Sequence, residues 1–116
     1  MKYSNGYLSA YLDGTLVYAG SMNILYSPAP NFLIGARYDS NGSIHPTDYF
    51  TGNLDNFSYW NTPLSMQEIQ DYMNCPPLGT EAGLVGYWNF EEGSGTTAFD
   101  LASNGNNGTV NGATDE

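Results

Sequence analysis

Few residues of this chain carry chemistry on their own, and most of those are oxygen donors. The stretch "DLASNGNN" (Asp100–Asn107) sets Asp100, Asn104 and Asn106 close together with backbone carbonyls between them. Ca2+ takes about six to eight hard oxygens in flexible geometry, so this set is a candidate calcium turn. Asn and Gly are also the residues that tolerate the positive φ of tight turns, which alone would account for such a composition. Glu91 and Glu92 are adjacent carboxylates, but neighbours on a strand point to opposite faces and cannot flank one glycosidic bond. Glu68 and Asp71 lie at helical spacing, and Glu68 has a capping role described below. His45 sits beside Pro46 in loop-like sequence, where an imidazole is ordinarily solvated. Trp60, Trp88 and Tyr38 offer aromatic faces on which a sugar ring can stack. At strand ends, Trp60 and Trp88 suit a core or an interface equally well.

The elements that hold these groups must belong to one modest domain, since the chain has 116 residues. Asp plus Glu total 12 against 2 Lys plus Arg, a formal charge of −10. A polyanion is repelled by such a surface, so nucleic acid and anionic membrane are poor partners and none is expected, whereas cations are attracted. Cys75 is the single cysteine, and no disulfide within the chain is possible. No apolar run reaches the length of a membrane span and the N-terminus lacks a signal-type apolar region, so no membrane insertion is expected. The opening "MKYSNGYLSAYLDG" goes straight into strand-like sequence, which suggests an internal piece of a longer exported protein. Asn-x-Ser/Thr tripeptides occur at Asn41, Asn56 and Asn107 and would matter only in a secretory eukaryotic host.

Frequent Gly and Asn between short periodic runs predict an all-β domain with many turns. Tyr7–Leu12 and Thr15–Tyr18 flank Asp13-Gly14, the pair that supplies positive φ for a two-residue hairpin. "SMNILYSPAP" is at most an edge strand because of Pro28 and Pro30. Asn31–Tyr38 reads as a compact strand, Asp39–Thr47 as a loop, and Asp48–Asn61 as a long strand with a bulge or close approach at Gly52. One short helix is expected near 66–73. Ser65 and Glu68 have capping-box spacing, and Leu64 and Ile69 fall at the positions of a hydrophobic staple. Pro76–Gly83 reads as a linker or crossover. Leu84–Phe90 follows as a strand, "AFD" as a brief pairing segment, and Thr109–Ala113 as a last short strand.

"YLDGTLVYAG", "FLIGARYD" and "YFTGNLDNFSYWNTPLSMQEIQ" resemble, in that order, the C-terminal half of a laminin G-like, concanavalin A-like jelly roll. Gly83–Ala113, "GLVGYWNFEEGSGTTAFDLASNGNNGTVNGA", resembles the opening of a domain of the same family. It departs from the usual order of the turn at Ser103-Asn104-Gly105-Asn106. The resemblance therefore implies three segments: residues 1–75 as a C-terminal half, 76–83 as a linker, and 84–116 as an opening strand and turn packed on 1–75 or on a second chain. In such jelly rolls the first and last strands are neighbours, so Leu84–Phe90 is expected to pair beside Tyr49–Tyr59, within or between chains.

The implied fold is all-β, an incomplete antiparallel β-sandwich of jelly-roll type. A half sandwich leaves an apolar face and open edges, which favour a homodimer or larger homo-oligomer. The resemblance also implies a structural Ca2+ where the opening turn meets the last strand, here near Asp55. The related pentraxins carry calcium ligands in the loop where Asp39 and Asp48 lie, although Ala36 and Arg37 replace the Glu and Gln of that pattern. The Glu-x-Asp-x-x-Glu strand of the family's glucanases is absent from the sequence. The function implied is a non-catalytic carbohydrate-binding or adhesion module of a larger extracellular protein, with glycans as ligands. A structural spacer, or an accessory piece of a glycoside hydrolase, is the alternative.

Overall fold

The computed structural model describes residues 2–4, 6–21 and 31–113. By proximity the chain divides into two compact units, one of Met1–Met22 with Leu54–Glu116 and one of Asn23–Asn53. The larger unit begins with strands β1 (Lys2–Ser4), β2 (Tyr7–Leu12) and β3 (Thr15–Ser21), an antiparallel sheet in the order β1-β2-β3. Asp13 at φ 50° and Gly14 at φ 70° make the expected two-residue turn, whose twist matches the right-handed twist of the flanking strands. β3 runs on past the expected end at Tyr18, pairing Ala10 with Tyr18 and Leu8 with Gly20. A register shift at Ala10/Tyr11 accommodates an extra residue in β3.

The smaller unit holds β4 (Ala36–Tyr38) and β5 (Ile44–Tyr49), an antiparallel pair. Here the structure corrects two expectations. The strand expected over Asn31–Tyr38 is only Ala36–Tyr38, because Gly35 at φ 78° turns the chain just before it. The loop expected over Asp39–Thr47 is shorter. One Asp39 carboxylate oxygen accepts the N–H groups of Asn41 and Ser43 at 2.8 and 2.9 Å, and β5 starts at Ile44. Pro46 is tolerated within β5 because a two-stranded sheet has only edges. The candidate edge strand in Ser21–Pro30 lies, past Ser21, outside the described residues.

The long strand expected over Asp48–Asn61 is split. β5 ends at Tyr49, and β6 (Phe57–Trp60) begins only after Gly52 at φ 150° and Asn56 at φ 49° have broken the extended run. Helix α1 (Met66–Asn74) starts as the sequence requires. Ser65 accepts the Glu68 N–H and the Glu68 carboxylate accepts the Ser65 N–H at 2.7 Å, a complete capping box. The Gln70 side chain donates to the Gly14 carbonyl at 3.0 Å, tying the helix to the β2–β3 turn. Strands β7 (Leu84–Trp88), β8 (Thr97–Ala98) and β9 (Gly108–Thr109) follow; β8 pairs with β9.

β7 pairs antiparallel with β6 within the same chain, Phe57 opposite Trp88 and Tyr59 opposite Gly86. A strand from within residues 1–75 and one from within 84–116 thus meet in one sheet. Pro76–Gly83 lies inside this unit rather than between units. The Glu81 carboxylate accepts the N–H groups of Leu78 and Gly79 at 2.7 and 3.0 Å, and Pro77 and Gly79 are buried. The core is small. Leu84, Tyr87 and Ala102 form it, with Trp60 packed against them, and among the described residues no large side chain is fully buried.

Gly79 has φ 100°, and a Cβ there would run into the Leu101 carbonyl oxygen, a backbone atom that cannot swing away. Gly79→Ala should therefore destabilise the fold by about 2–3 kcal/mol. Ser65→Ala, which removes only the cap, should cost about 1 kcal/mol. Urea unfolding of both variants checks the order, and equal stability of Gly79→Ala and the wild-type chain would refute the close approach.

Candidate functional site

The turn after β8 is organised by one carboxylate. Asp100 Oδ1 accepts the N–H groups of Tyr87 and Ala102, each at 2.9 Å, and Oδ2 accepts the Asn106 N–H at 2.8 Å. The Asp100 N–H itself donates to Asn107 Oδ1 at 3.0 Å. Burial pushes the Asp100 carboxyl up, but the N–H groups of Tyr87, Asn106 and Ala102 together outweigh it and hold the group below the usual carboxylate range.

Asn104 and Asn106 turn their side-chain amides onto the Val85 carbonyl, at 2.8 and 3.0 Å. Leu101 donates to the Tyr87 carbonyl at 2.7 Å. The outward-facing carbonyls of β7 at Val85 and Tyr87, and the Tyr87 N–H, are therefore satisfied by the turn, while the other edge of β7 pairs with β6.

That geometry bears on the calcium expectation. Asp100 points both oxygens at main-chain N–H groups, and the Asn104 and Asn106 side chains aim their Nδ2 groups at the Val85 carbonyl. Asp55 is exposed and acts on the other end of Tyr87. Burial, with the Asp55 and Glu91 carboxylates, pushes the Tyr87 hydroxyl up, and that hydroxyl donates to Asn56 Oδ1 at 2.6 Å. No group of three or more His, Cys, Asp or Glu side chains converges among the described residues. As arranged, the turn is closed by the chain's own hydrogen bonds.

In the smaller unit Asp39 is the acceptor of its own turn, as described above. Asp48 pairs with Arg37, whose Nε lies 2.7 Å from Oδ2, and that guanidinium holds the Asp48 carboxyl below its ordinary value. His45 stands 3.3 Å from the other Asp48 oxygen. Asp39 and Asp48 thus sit at the tip and on the strand of the same hairpin, each with partners of its own.

The aromatic candidates separate by burial. Trp88 is 8% exposed; its indole lies over Gly86, where a Cβ would collide with it, and Nε1 donates to the Asn106 carbonyl at 3.2 Å. Its faces therefore serve packing. Trp60 is half-buried, stacked on Tyr72 with ring centroids 5.0 Å apart, and its Nε1 donates to Ser58 Oγ at 3.0 Å. Tyr38 is half-buried on β4 opposite Ile44.

Sequence reasoning missed the roles of Glu81 and Glu92, which accept loop N–H groups; Glu92 takes that of Phe99 at 2.7 Å. Their sequence signal is a carboxylate beside Gly- and Ser-rich turn residues. It also missed a repeated spacing, an aromatic two residues from a glycine, at Tyr18/Gly20, Phe50/Gly52 and Gly86/Trp88.

Antiparallel strands, one short helix and an unclosed core define an incomplete all-β sandwich. A family model described as the concanavalin A-like lectin/glucanases superfamily matches residues 1–70, and the chain belongs to that laminin G-like family. No curated protein is matched by the chain. No solved structure is matched either. No helix among the described residues is long and apolar enough to cross a membrane.

Asp100 and Glu81 both have lowered folded-state values, Glu81 chiefly through the Leu78 N–H. Their contribution is thus present above the unfolded carboxylate range, near pH 4, and is lost as pH falls through the lowered values. Thermal midpoints should fall with acidification in that window, and less steeply in Asp100→Asn. That variant should lose about 2 kcal/mol at neutral pH, since an amide cannot accept three N–H groups as a charged carboxylate does. Because the turn is held by the chain's own N–H groups, the thermal midpoint should be the same in EDTA and in millimolar Ca2+, and a calcium-dependent rise would restore the metal.

Proposed function

We propose that this chain is a non-catalytic carbohydrate-binding or adhesion module of a larger extracellular protein. The family match over residues 1–70 carries the reading, because lectins and glucanases share that scaffold. The lectin side is favoured by what six of the carboxylates do, Asp55 and Glu91 near the Tyr87 hydroxyl not being among them. Glu68 closes a helix cap, and Glu81, Glu92, Asp39 and Asp100 accept backbone N–H groups of their own loops. Asp48 is paired with Arg37. Glycoside hydrolysis needs two carboxyl groups free to face one bond, roughly 5–9.5 Å apart. The formal charge of −10 favours neutral glycans over anionic ones.

Self-association of the chain is part of the same proposal. Leu16, Val17, Phe99 and Leu101 remain exposed, as expected of a sandwich that lacks strands on one side. A homodimer would cover such side chains, and light scattering that finds only monomer would remove this part of the reading.

A glycan array probed with and without Ca2+ tests the function. Binding to neutral glycans is expected in both conditions. Binding to none would favour a structural spacer, and hydrolysis of β-glucans by this chain would overturn the non-catalytic reading.

A further inference from the structure

We propose that Tyr18, which leans along β3 over Gly20, is a stacking platform for the apolar face of a neutral sugar ring. A Cβ built on Gly20 would stand 2.7 Å from the Tyr18 hydroxyl oxygen and 3.1 Å from Cζ. Residues two apart on a strand share a face, and Cβ marks the direction in which a side chain rises from the sheet. The outer edge of the phenol therefore occupies the space that a side chain at position 20 would fill. The ring lies along the sheet instead of standing up from it.

Across the strand pair, Ala10 is opposite Tyr18 and has only a methyl group, while Leu8, opposite Gly20 on the same face, is buried. Tyr18 itself remains 47% exposed. An aromatic ring lying over a strand glycine also supports the strand, which accounts for the buried copy, Trp88 over Gly86. Phe50 lies over Gly52 in the smaller unit, but outside a strand and with Gly52 at φ 150°. Tyr18 combines three properties: a paired strand beneath it, a glycine that leaves room for the ring, and an exposed ring.

Those properties suit a pyranose. One face of a gluco- or galacto-configured ring presents C–H groups, which the negative face of an aromatic quadrupole attracts. A ring already held in place loses little conformational freedom on binding. The hydroxyl at the ring edge can exchange hydrogen bonds with sugar hydroxyls. The inference rests on the carbohydrate-binding reading above and adds the residue that would carry it.

The test uses the full chain and a panel of cellohexaose, xylohexaose, mannohexaose and lactose, read by saturation-transfer NMR and titration. The wild-type chain is expected to bind at least one of them. Tyr18→Leu, which keeps an apolar cover on Gly20 but removes the π face, should weaken that binding about tenfold. Gly20→Ala should weaken it similarly by lifting the ring. The displaced atoms are the far end of a side chain, so the fold should tolerate the methyl group. Tyr18→Trp should retain binding. Circular dichroism checks each variant, and Gly20→Ala carries the test if Tyr18→Leu unfolds. Undiminished binding in both weakening variants overturns the platform and leaves the carbohydrate reading intact. Loss in Tyr18→Leu with wild-type affinity in Gly20→Ala overturns the part assigned to Gly20 in placing the ring. No binding of any panel sugar by the wild-type chain overturns the carbohydrate reading and the platform together.

Discussion

The Asp100 carboxylate, receiving the N–H groups of Tyr87, Ala102 and Asn106, is the interaction on which the larger unit depends. Without it β7 would end as an open edge, with the Tyr87 N–H unpaired beside the small core. An unpaired edge is a template for pairing with another chain, and a buried unmet N–H is costly. The turn closes that edge with side chains where a sheet would use another strand. Asn104 and Asn106 cover the Val85 carbonyl, and Leu101 covers that of Tyr87. β7 can then present Leu84 and Tyr87 to Trp60 and Ala102 as the centre of the core.

The same device recurs elsewhere and gives the acidic composition a structural meaning. Loops cannot satisfy their own N–H groups as helices and sheets do. Here carboxylates supply the missing acceptors: Asp39 at the β4–β5 tip, Glu68 at the helix start, Glu81 before β7, and Glu92 beside Phe99. A side chain that accepts two or three N–H groups is stabilised in its charged form. A surplus of acids over bases therefore costs some self-repulsion but fixes the turns of a domain with little core. The large apolar side chains left outside that core, such as Leu16, Val17 and Phe99, mark how far from a closed sandwich the chain remains.

Local chemistry was legible where it was self-contained. The Asp13-Gly14 hairpin and the Ser65–Glu68 capping box each follow from a few neighbouring residues, and both formed as read. The continuous strands expected over Asn31–Tyr38 and Asp48–Asn61 did not form, because Gly35, Gly52 and Asn56 take backbone conformations that end an extended run. A glycine within an apolar pattern is ambiguous on its own, since a bulge, a break and a close approach share one signature. The candidate site was legible by composition but not by role. Asp100, Asn104 and Asn106 were recognisable as oxygen-rich, yet which atoms they meet depends on the position of β7.

The sequence by itself determined the family, the all-β character, the hairpin turn and the helix start, because those rest on residues within a few positions of one another. Only the tertiary structure decided that β7 pairs with β6 inside one chain. It also decided that Trp88 is covered while Tyr18 is exposed, although both lie over a glycine. The reason is physical: a ring beside a glycine can lean into the space that glycine leaves in either case, but whether its outer side meets protein or water depends on what packs above it.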